Sequence, residues 1–269
     1  MDYEKIVKMT PTKRRQAINQ LSEEERYGLL NYIINHARCT VFFGGAGVST
    51  ESGIPDFRSK DGLYNQHDVQ FDSYTPEYLL SHDCLYHESK VFFEYYRQKM
   101  NVEGIKPNRA HEKLAEMEAK GKLECVITQN IDGLHQKAGS RKVYEIHGST
   151  MRNYCIGCGT KYPEDYIFKN TQPVPLCPKC GKMIRPDVTM YGESLPHEAF
   201  MNAQMAVVRA DCMIVGGTSL MVYPAAGLVT NYNGDFLILI NKDATAQDRY
   251  ADLVFHDSIG EVMSKITLE

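Results

Sequence analysis

Four cysteines in two closely spaced pairs constrain the fold of this 269-residue chain more than any other feature. The pairs are CIGC at 155–158 and CPKC at 177–180, and eighteen residues separate them. Two Cys-x-x-Cys pairs can place four thiolates around one Zn²⁺, which leaves no position for water. The sequence therefore predicts a structural zinc ion that stabilises a small lobe with little core of its own. Its ligands would be Cys155, Cys158, Cys177 and Cys180, and four unligated cysteines are the alternative.

The remaining composition indicates a globular protein of the cytoplasm. Hydrophobic residues make up 43% of the chain, which is ordinary, and no apolar run approaches the roughly 20 residues that span a bilayer. A net charge of -4 argues against nucleic acid as the primary ligand. The N-terminus lacks the apolar segment of a secretory signal, so we expect no membrane partner and a cytoplasmic location. The four scattered cysteines suit buried free thiols better than disulfides in that compartment.

Apolar segments typical of buried strands alternate with helical segments along most of the chain. The strand candidates lie at 39–43, 123–130, 142–148, 210–220 and 234–241, and residues 251–266 close the chain as a strand and a helix. A capping box at Ser22 begins one helix, and Gly121 ends another. This alternation predicts an α/β fold whose parallel sheet is covered on both faces. The Tyr- and Phe-rich stretch at 60–109, with a helix at 87–100, indicates an insertion between core elements, and 151–184 shows little helix or strand pattern.

The segment GGAGVSTESGIPDFRS, residues 44–59, follows the first strand and is a candidate dinucleotide site. Gly45 and Gly47 would let backbone amides approach a pyrophosphate at a helix N-terminus. The fingerprint lacks its third glycine, and a tight turn without a ligand explains the segment equally well. No acidic residue ends the second strand in the manner of dehydrogenases, so a hydride-transfer enzyme is disfavoured.

Polar residues also follow the other predicted strands, at the edge where parallel sheets bind their ligands. Asn130 and Asp132 follow the second strand, although either could simply cap a helix. His147 ends the third strand and is either a general base or a satisfied structural histidine. GGTSL at 216–220 and Asn241 follow two further strands. Each position has a structural explanation alone, but together they predict one shared crevice.

The motifs resemble those of the sirtuins, the NAD-dependent protein deacylases, and occur in the same order. They are GAGVSTESGIPDFRS, TQNIDGLH, EIHG, the two Cys-x-x-Cys pairs, RPDVTMYGE and GTSLMVYPA, and the match covers roughly residues 36–265. The resemblance implies a discontinuous Rossmann-like domain made of residues 1–59, 110–150 and 185–269. It also implies a helical cofactor-loop insertion at 60–109 and a smaller inserted zinc-ribbon domain at 151–184.

The resemblance further implies that NAD is a co-substrate and assigns residues to it. The phosphates would be held by Gly45, Ala46 and Gly47, with Ser49 nearby, and a cofactor loop would be lined by Phe57 and Arg58. The nicotinamide ribose would be held by Gln129, Asn130 and Asp132. Phosphate and adenosine would be contacted by Gly217, Thr218 and Ser219, and the adenosine end would be approached by Asn241 and Ile259. Within this set, Asn130 and Asp132 join His147 as the implied catalytic residues.

The chemistry that the resemblance implies needs no protein nucleophile and no catalytic metal. The acyl-lysine oxygen attacks C1′ of the nicotinamide ribose as nicotinamide departs, which gives an alkylamidate. His147 then helps to deprotonate a ribose hydroxyl that attacks this intermediate. The products are nicotinamide, the deacylated lysine and O-acyl-ADP-ribose, so the implied activity is that of an NAD-dependent protein-lysine deacetylase.

Two extended segments resemble the strands between which sirtuins pair an acetyl-lysine peptide by strand addition. They are VTMYGE at 188–193 and LMVYPA at 220–225, and the candidate substrate residues are Val188, Tyr191, Gly192, Glu193 and Val222. An apolar tunnel would receive the neutral acyl-lysine. Sirtuins that prefer acidic acyl groups carry a Tyr-x-x-Arg pair, and Arg97 matches its arginine. Because Glu94 stands three residues before Arg97, succinyl-lysine is disfavoured.

Two other functions share part of this pattern. A protein mono-ADP-ribosyltransferase would use the same NAD-cleaving step, and a non-enzymatic NAD or ADP-ribose binding module could dock another protein through its zinc lobe. The set of Asn130, Asp132 and His147 favours an enzyme, since a pure sensor does not need the base.

Overall fold

The computed structural model describes residues 1–66 and 68–269, which form two sheets and their covering helices. The strands are β1 (Thr40–Gly44), β2 (Cys125–Thr128), β3 (Val143–Glu145), β4 (Gly148–Cys155), β5 (Lys161–Tyr162), β6 (Ile184–Val188), β7 (Cys212–Gly216), β8 (Phe236–Ile240) and β9 (Leu253–Phe255). The helices are α1 (Tyr3–Val7), α2 (Pro11–Ile18), α3 (Glu23–His36), α4 (Pro76–Leu79), α5 (His82–His87), α6 (Ser89–Lys99), α7 (Arg109–Ala119), α8 (Leu134–Lys137), α9 (Tyr166–Lys169), α10 (His197–Arg209), α11 (Gly227–Thr230) and α12 (Ile259–Ser264). In the described part of the chain, no helix has the length and apolar character needed to cross a membrane.

The larger sheet has the strand order β3-β2-β1-β7-β8-β9, and every neighbouring pair is parallel. Numbered within this sheet alone, that order is 3-2-1-4-5-6, the order of dinucleotide-binding Rossmann folds. The predicted α/β fold with a parallel sheet is confirmed. The order reverses between β1 and β7, and ligands of such sheets bind beside the carboxyl ends of the strands at that point.

Both faces of this sheet are buried, and the alternation of side chains along each strand explains why. Phe42 and Ile214 point to the face covered by α3, α7 and α12, whereas Val41, Phe43 and Val215 point to the face covered by α10. Successive strand residues face opposite sides, so a doubly covered strand needs a continuous apolar run. This requirement is why the strand candidates were recognisable in the sequence.

The second sheet is antiparallel, with the order β5-β4-β6, and lies where the sequence showed little regular pattern. Its central strand, β4, has the sequence GSTMRNYC, which contains no continuous apolar run. The pairing of β4 with β6 also shifts register between Ser149 and Asn153. Both strands cross the domain limits drawn from the sequence, because β4 begins at Gly148 and β6 ends at Val188.

The insertion and the zinc-binding segment share one hydrophobic cluster. Phe92, Phe93 and Tyr96 of α6 belong to the same cluster as Ile167 of α9 and Met183, just before β6. We therefore call residues 60–108 and 148–188 together the small lobe, and the rest of the chain the sheet half. Sequence reasoning missed α10, and the helix predicted at PAAGLVTNY is confined to the four residues of α11.

Candidate active site

The four cysteines of the two pairs converge at one end of the small lobe. Their Sγ atoms all lie within 4.8 Å of one another, and the Cys155–Cys180 and Cys158–Cys177 separations are 3.3 and 3.7 Å. Four thiolates bound tetrahedrally at about 2.3 Å from Zn²⁺ would lie about 3.8 Å apart. The cluster therefore fits one zinc ion with four sulfur ligands, and none of the four cysteines lines the cavity described below.

Each cysteine pair is shaped by a glycine that follows it. The N–H of Gly159 donates to the carbonyl of Cys155 at 3.0 Å, and that of Gly181 donates to Cys177 at 2.8 Å. The two glycines have φ values of +68° and +70°, a conformation that residues with a Cβ rarely adopt. The two turns are thus built alike, and the pairing of β4 with β6 brings them together.

At the point where the strand order reverses, two backbone loops touch directly. Gly45 N–H donates to the carbonyl of Gly216 at 3.2 Å, and Gly47 N–H donates to Gly217 at 2.8 Å. A Cβ at Gly47 would lie 2.8 Å from the Gly217 Cα, so neither loop has room for a side chain there. The incomplete fingerprint is therefore explained in part by loop packing, which leaves backbone facing the crevice.

A cavity of about 570 Å³ lies at this edge, between the sheet half and the small lobe. The predicted site residues that line it are Gly45, Ala46, Gly47, Ser49, Phe57, Arg58, Gln129, Asn130, Asp132, His147, Val188, Tyr191, Gly192, Glu193, Gly217, Thr218, Ser219, Val222 and Asn241. Ile259 is the exception among the predicted contacts, because its side chain is buried in the core and approaches Gly216 from beneath. Main-chain groups on one wall and amide or carboxylate side chains on the other suit a dinucleotide.

Three buried side chains form a hydrogen-bonded network on the cavity floor. Asn130 Nδ2 donates to Ser49 Oγ at 3.0 Å, and Ser49 Oγ donates to Asp132 Oδ2 at 2.7 Å. The other carboxylate oxygen of Asp132 accepts from the N–H of Leu134 at 2.9 Å, so the residue also caps α8. Burial raises the pKa of Asp132, while the bonds from Leu134 and Ser49 oppose that shift. Asp132 therefore both bonds to the first turn of α8 and belongs to the network on the cavity floor.

His147 faces the cavity with a defined tautomer. Its Nδ1 lies 3.0 Å from the carbonyl oxygen of Gln129, which can only accept, so Nδ1 carries the proton. The Nε2 atom is therefore left with a lone pair, as a general base requires. Burial lowers the pKa of His147, and the bond to Gln129 opposes this shift. Gln129 also donates through Nε2 to Thr218 Oγ1 at 3.0 Å, which links three strand ends.

The turn after β6 is held by hydrogen bonds within the protein. Arg185 binds both carboxylate oxygens of Glu193, at 2.5 and 2.8 Å, and Glu193 also accepts from the N–H of Met190 at 2.9 Å. Although burial favours the neutral form, the bond from Arg185 keeps the pKa of Glu193 below its ordinary value. Glu193 therefore fixes the turn, and Val188 and Gly192 are the candidate substrate residues of this segment without such a side-chain role.

The helix α6 contributes cavity residues that sequence reasoning missed. Tyr96, Lys99 and Met100 line the cavity, whereas Glu94 is exposed and Arg97 donates to the carbonyls of Ile167, Gln172 and Pro173. The premise that Glu94 would repel a succinyl group is therefore wrong. The helical spacing of Tyr96 and Met100 could have revealed this face, because residues four apart lie on one side of a helix.

Comparisons with known proteins agree with this geometry. The family model described as the Sir2 family matches residues 45–224. An NAD-dependent protein deacetylase of Clostridium acetobutylicum is 52% identical over 237 residues, which are 88% of this chain and 96% of that protein. A Sir2 structure with a deacetylated p53 peptide and 3′-O-acetyl-ADP-ribose has a TM-score of 0.80 at 38% identity, covering 91% of this chain and 97% of that one. Sir2Tm bound to a propionylated peptide has a TM-score of 0.77 at 38% identity, over 91% and 97%.

Proposed function

The chain belongs to the Sir2 family and is an NAD-dependent protein deacetylase, and for that reaction we propose His147 as the general base. The observation that carries this assignment is the bond from Nδ1 to the carbonyl of Gln129. It holds the ring in place and leaves the lone pair on Nε2, in a residue that lines the cavity. Because the pKa of His147 is lowered, the base is neutral and ready to accept a proton at pH 7.

Different residues of the cavity would bind different parts of NAD. When bound, NAD supplies the electrophilic ribose carbon, and its ADP-ribose part accepts the acyl group. We assign the phosphates to the main chain at 45–47 and 217–219, where the two loops pack backbone to backbone. We assign the nicotinamide ribose to the network of Ser49, Asn130 and Asp132, because its hydrogen-bonding groups are already oriented. Asn241, at the end of β8, is assigned to the adenosine end.

The protein substrate enters from the other side of the cavity, as an acetyl-lysine peptide that adds a strand. Gly192 and Val222 lie on the two segments that would flank the peptide, and both line the cavity. Val188, at the end of β6, would form part of the apolar wall around the acyl-lysine. The net charge of -4 supports protein rather than nucleic acid as the primary ligand. Eight cysteines without a disulfide among the described residues support a cytoplasmic location.

Product analysis tests the reaction and the role of His147 together. The protein is incubated with NAD and an acetyl-lysine peptide, and nicotinamide, deacetylated peptide and O-acetyl-ADP-ribose are measured by mass spectrometry. The variant His147→Ala should lower kcat/KM by about 10²–10⁴-fold, the usual contribution of a general base. The exposed His87, which lies outside the cavity, provides the control His87→Ala, and its kcat/KM should match that of the unchanged protein.

Other outcomes would point elsewhere. Nicotinamide released together with a modified protein would favour mono-ADP-ribosylation, and the absence of NAD turnover would favour a binding module. Unchanged turnover in His147→Ala, with the fold intact by circular dichroism, would remove His147 from the mechanism.

A further inference from the structure

The phenol of Tyr191 joins the peptide side of the cavity to its cofactor side. Its Oη atom lies 2.6 Å from the Oη of Tyr64, and Arg58 donates a hydrogen bond to it at 3.3 Å. The guanidinium of Arg58 also lies over the Tyr64 ring, 5.6 Å from its centroid. Tyr191 follows β6, whereas Arg58 and Tyr64 belong to the loop that continues from the glycine turn. One hydroxyl therefore connects segments that serve different ligands.

The main chain of Tyr191 is held by other contacts. Its N–H donates to the carbonyl of Leu80 at 3.0 Å, and its own carbonyl accepts from the N–H of His82 at 2.9 Å. The N–H of Tyr191 is therefore not available to a peptide substrate unless its bond to Leu80 breaks, whereas the carbonyl can still accept a second hydrogen bond. The phenol projects from a fixed backbone position, immediately before Gly192.

The loop on the other side is an internally bonded unit. Asp56 Oδ1 accepts from the N–H of Arg58 at 3.0 Å, and the N–H of Tyr64 donates to the carbonyl of Phe57 at 2.9 Å. The rings of Phe57 and Tyr64 are in edge contact, with centroids 5.4 Å apart. A displacement of Tyr64 would therefore carry Arg58 and Phe57 with it, and both of these residues line the cavity.

The hydrogen bond between the two phenols persists across the working pH range. Burial first, and the bond to Tyr191 second, raise the pKa of the Tyr64 hydroxyl well above its ordinary value. The Tyr64 hydroxyl thus keeps its proton, and Arg58 supplies a charged donor to the same oxygen of Tyr191. A phenylalanine at either position would lose the bond while preserving the ring.

We propose that the Tyr191 hydroxyl is a positioning group that couples the binding of the acetyl-lysine peptide to the binding of NAD. The proposal rests on the proposed function, because it requires both ligands in one cavity. A peptide seated beside Gly192 stabilises the segment that carries Tyr191, and Tyr191 in turn holds the 56–64 loop against the cofactor. Such coupling is reciprocal, so each ligand raises the affinity for the other by the same factor.

Calorimetric titration measures this factor directly. ADP-ribose serves as the cofactor probe because the reaction does not consume it, and its Kd is determined with and without a saturating acetyl-lysine peptide. The coupling factor is the Kd of ADP-ribose without peptide divided by its Kd with peptide. We expect this ratio to fall about fivefold in Tyr191→Phe, which is the usual net contribution of one hydrogen bond. Tyr64→Phe, which keeps the bond from Arg58 to Tyr191, should reduce it by no more than Tyr191→Phe does. The double variant should match Tyr191→Phe, because the bond between the two phenols is lost only once.

The control variant is Tyr78→Phe. The Tyr78 hydroxyl also makes a 2.6 Å hydrogen bond in the small lobe, but to Glu88 rather than to the loop, so this variant should keep the ratio of the unchanged protein. In steady-state kinetics, Tyr191→Phe should raise the KM for NAD at saturating peptide concentration and leave kcat almost unchanged. A purely structural role would instead lower the melting temperature without altering the ratio.

Three results would overturn the proposal. The ratio could be one in the unchanged protein, it could stay the same in Tyr191→Phe, or the two single variants could act additively. A protein that binds both ligands without coupling contradicts only this inference. A protein that binds neither ADP-ribose nor the acetyl-lysine peptide contradicts the proposed function, and the coupling with it.

Discussion

The sheet half and the small lobe contribute opposite walls of one cavity but are stabilised in different ways. The sheet half has strands buried on both faces, such as β1, whose five residues are all buried. The small lobe has a three-stranded sheet, an aromatic cluster around α6, and a four-cysteine site. A small sheet cannot bury enough surface alone, so the lobe depends on metal and on its aromatic cluster.

This difference suggests why the catalytic groups are distributed as they are. The groups that must stay fixed, Ser49, Asn130 and Asp132, belong to the sheet half and are buried. Val188, which we propose as part of the wall around the acyl-lysine, belongs to the small lobe. A change that removes one kind of stabilisation should therefore destabilise one half before the other. Three predictions test this expectation.

Loss of the metal should have the largest effect, and it should be confined to the small lobe. Structural zinc sites contribute about 10–16 kcal/mol of apparent binding free energy. In Cys177→Ser we expect the zinc content to fall below one ion per chain and hydrogen exchange to accelerate at 148–188. The acceleration should extend to α6 through the contacts of Phe92 and Phe93 with the shared cluster. Amides of β1, β2, β7 and β8 should keep their protection.

The control for this experiment is Cys39→Ser, which changes a partly exposed thiol of the sheet half and should leave the zinc content unchanged. If the strands of the parallel sheet lost protection together with the small lobe, the two halves would form a single cooperative unit and the contrast drawn here would fail.

A buried ion pair offers the converse experiment, which should weaken the sheet half alone. Arg14 of α2 donates through Nε to Asp252 at 2.8 Å, and both side chains are about 95% buried. The second oxygen of Asp252 accepts from the N–H of Leu237 in β8 at 3.0 Å. Arg14→Met leaves this carboxylate buried and unpaired, so the free energy of unfolding should fall by about 3–5 kcal/mol.

Urea denaturation followed by circular dichroism measures this loss. The matched control is Arg38→Met, which breaks an ion pair with Asp211 at a side chain that is 85% exposed and should cost at most about 1 kcal/mol. The zinc content and, at temperatures where the variant is folded, kcat/KM should be unchanged in Arg14→Met. Equal decreases of the unfolding free energy in the two variants would mean that burial of the Arg14–Asp252 pair does not affect stability.

The sequence predicted the sheet half better than the small lobe, and the reason is physical. Doubly buried strands require continuous apolar runs, so β1, β2, β7, β8 and β9 were visible in the residue pattern. The strands β4 and β5 carry mixed side chains, and they pair because the first cysteine turn, at 155–159, folds the chain back on itself. The metal site of the small lobe was nevertheless predictable from the Cys-x-x-Cys spacing, since the two thiolates of each pair are close together in the sequence.

The candidate site shows the same division. Residues at strand ends could be located, because parallel strands bring their carboxyl ends to one edge. The side-chain partners could not. The resemblance to sirtuins implied a cofactor contact for Ile259, whereas its side chain lies in the core at the start of α12, and the contact stays a prediction. The roles of Glu193 and Arg97 depend on contacts with Arg185 and with the carbonyls near α9, which no local pattern encodes.

The smallest of the three effects should come from acid, which should weaken the sheet half through two buried histidines. The rings of His111 in α7 and His135 in α8 are 4.7 Å apart, and both residues are almost fully buried. Neither nitrogen of His135 has a hydrogen-bond partner among the described residues. Burial lowers the pKa of His111 to about 4, against the opposing charge of Glu51, and burial with the charge of His111 lowers the pKa of His135 to about 3.

Both histidines are therefore neutral in the folded protein where an unfolded chain, with pKa values near 6.5, binds protons. Between pH 6.5 and about 4 the unfolded state holds more protons, so the free energy of unfolding must fall as the pH falls. At pH 5 each such histidine should cost about 2 kcal/mol relative to pH 7.5. The difference between urea unfolding free energies at these two pH values should shrink by about that amount in His135→Leu, whereas His87→Leu, at an exposed site, should retain the full difference. If His135→Leu also retained it, the acid sensitivity would lie outside this pair, and acid would no longer distinguish the sheet half from the small lobe.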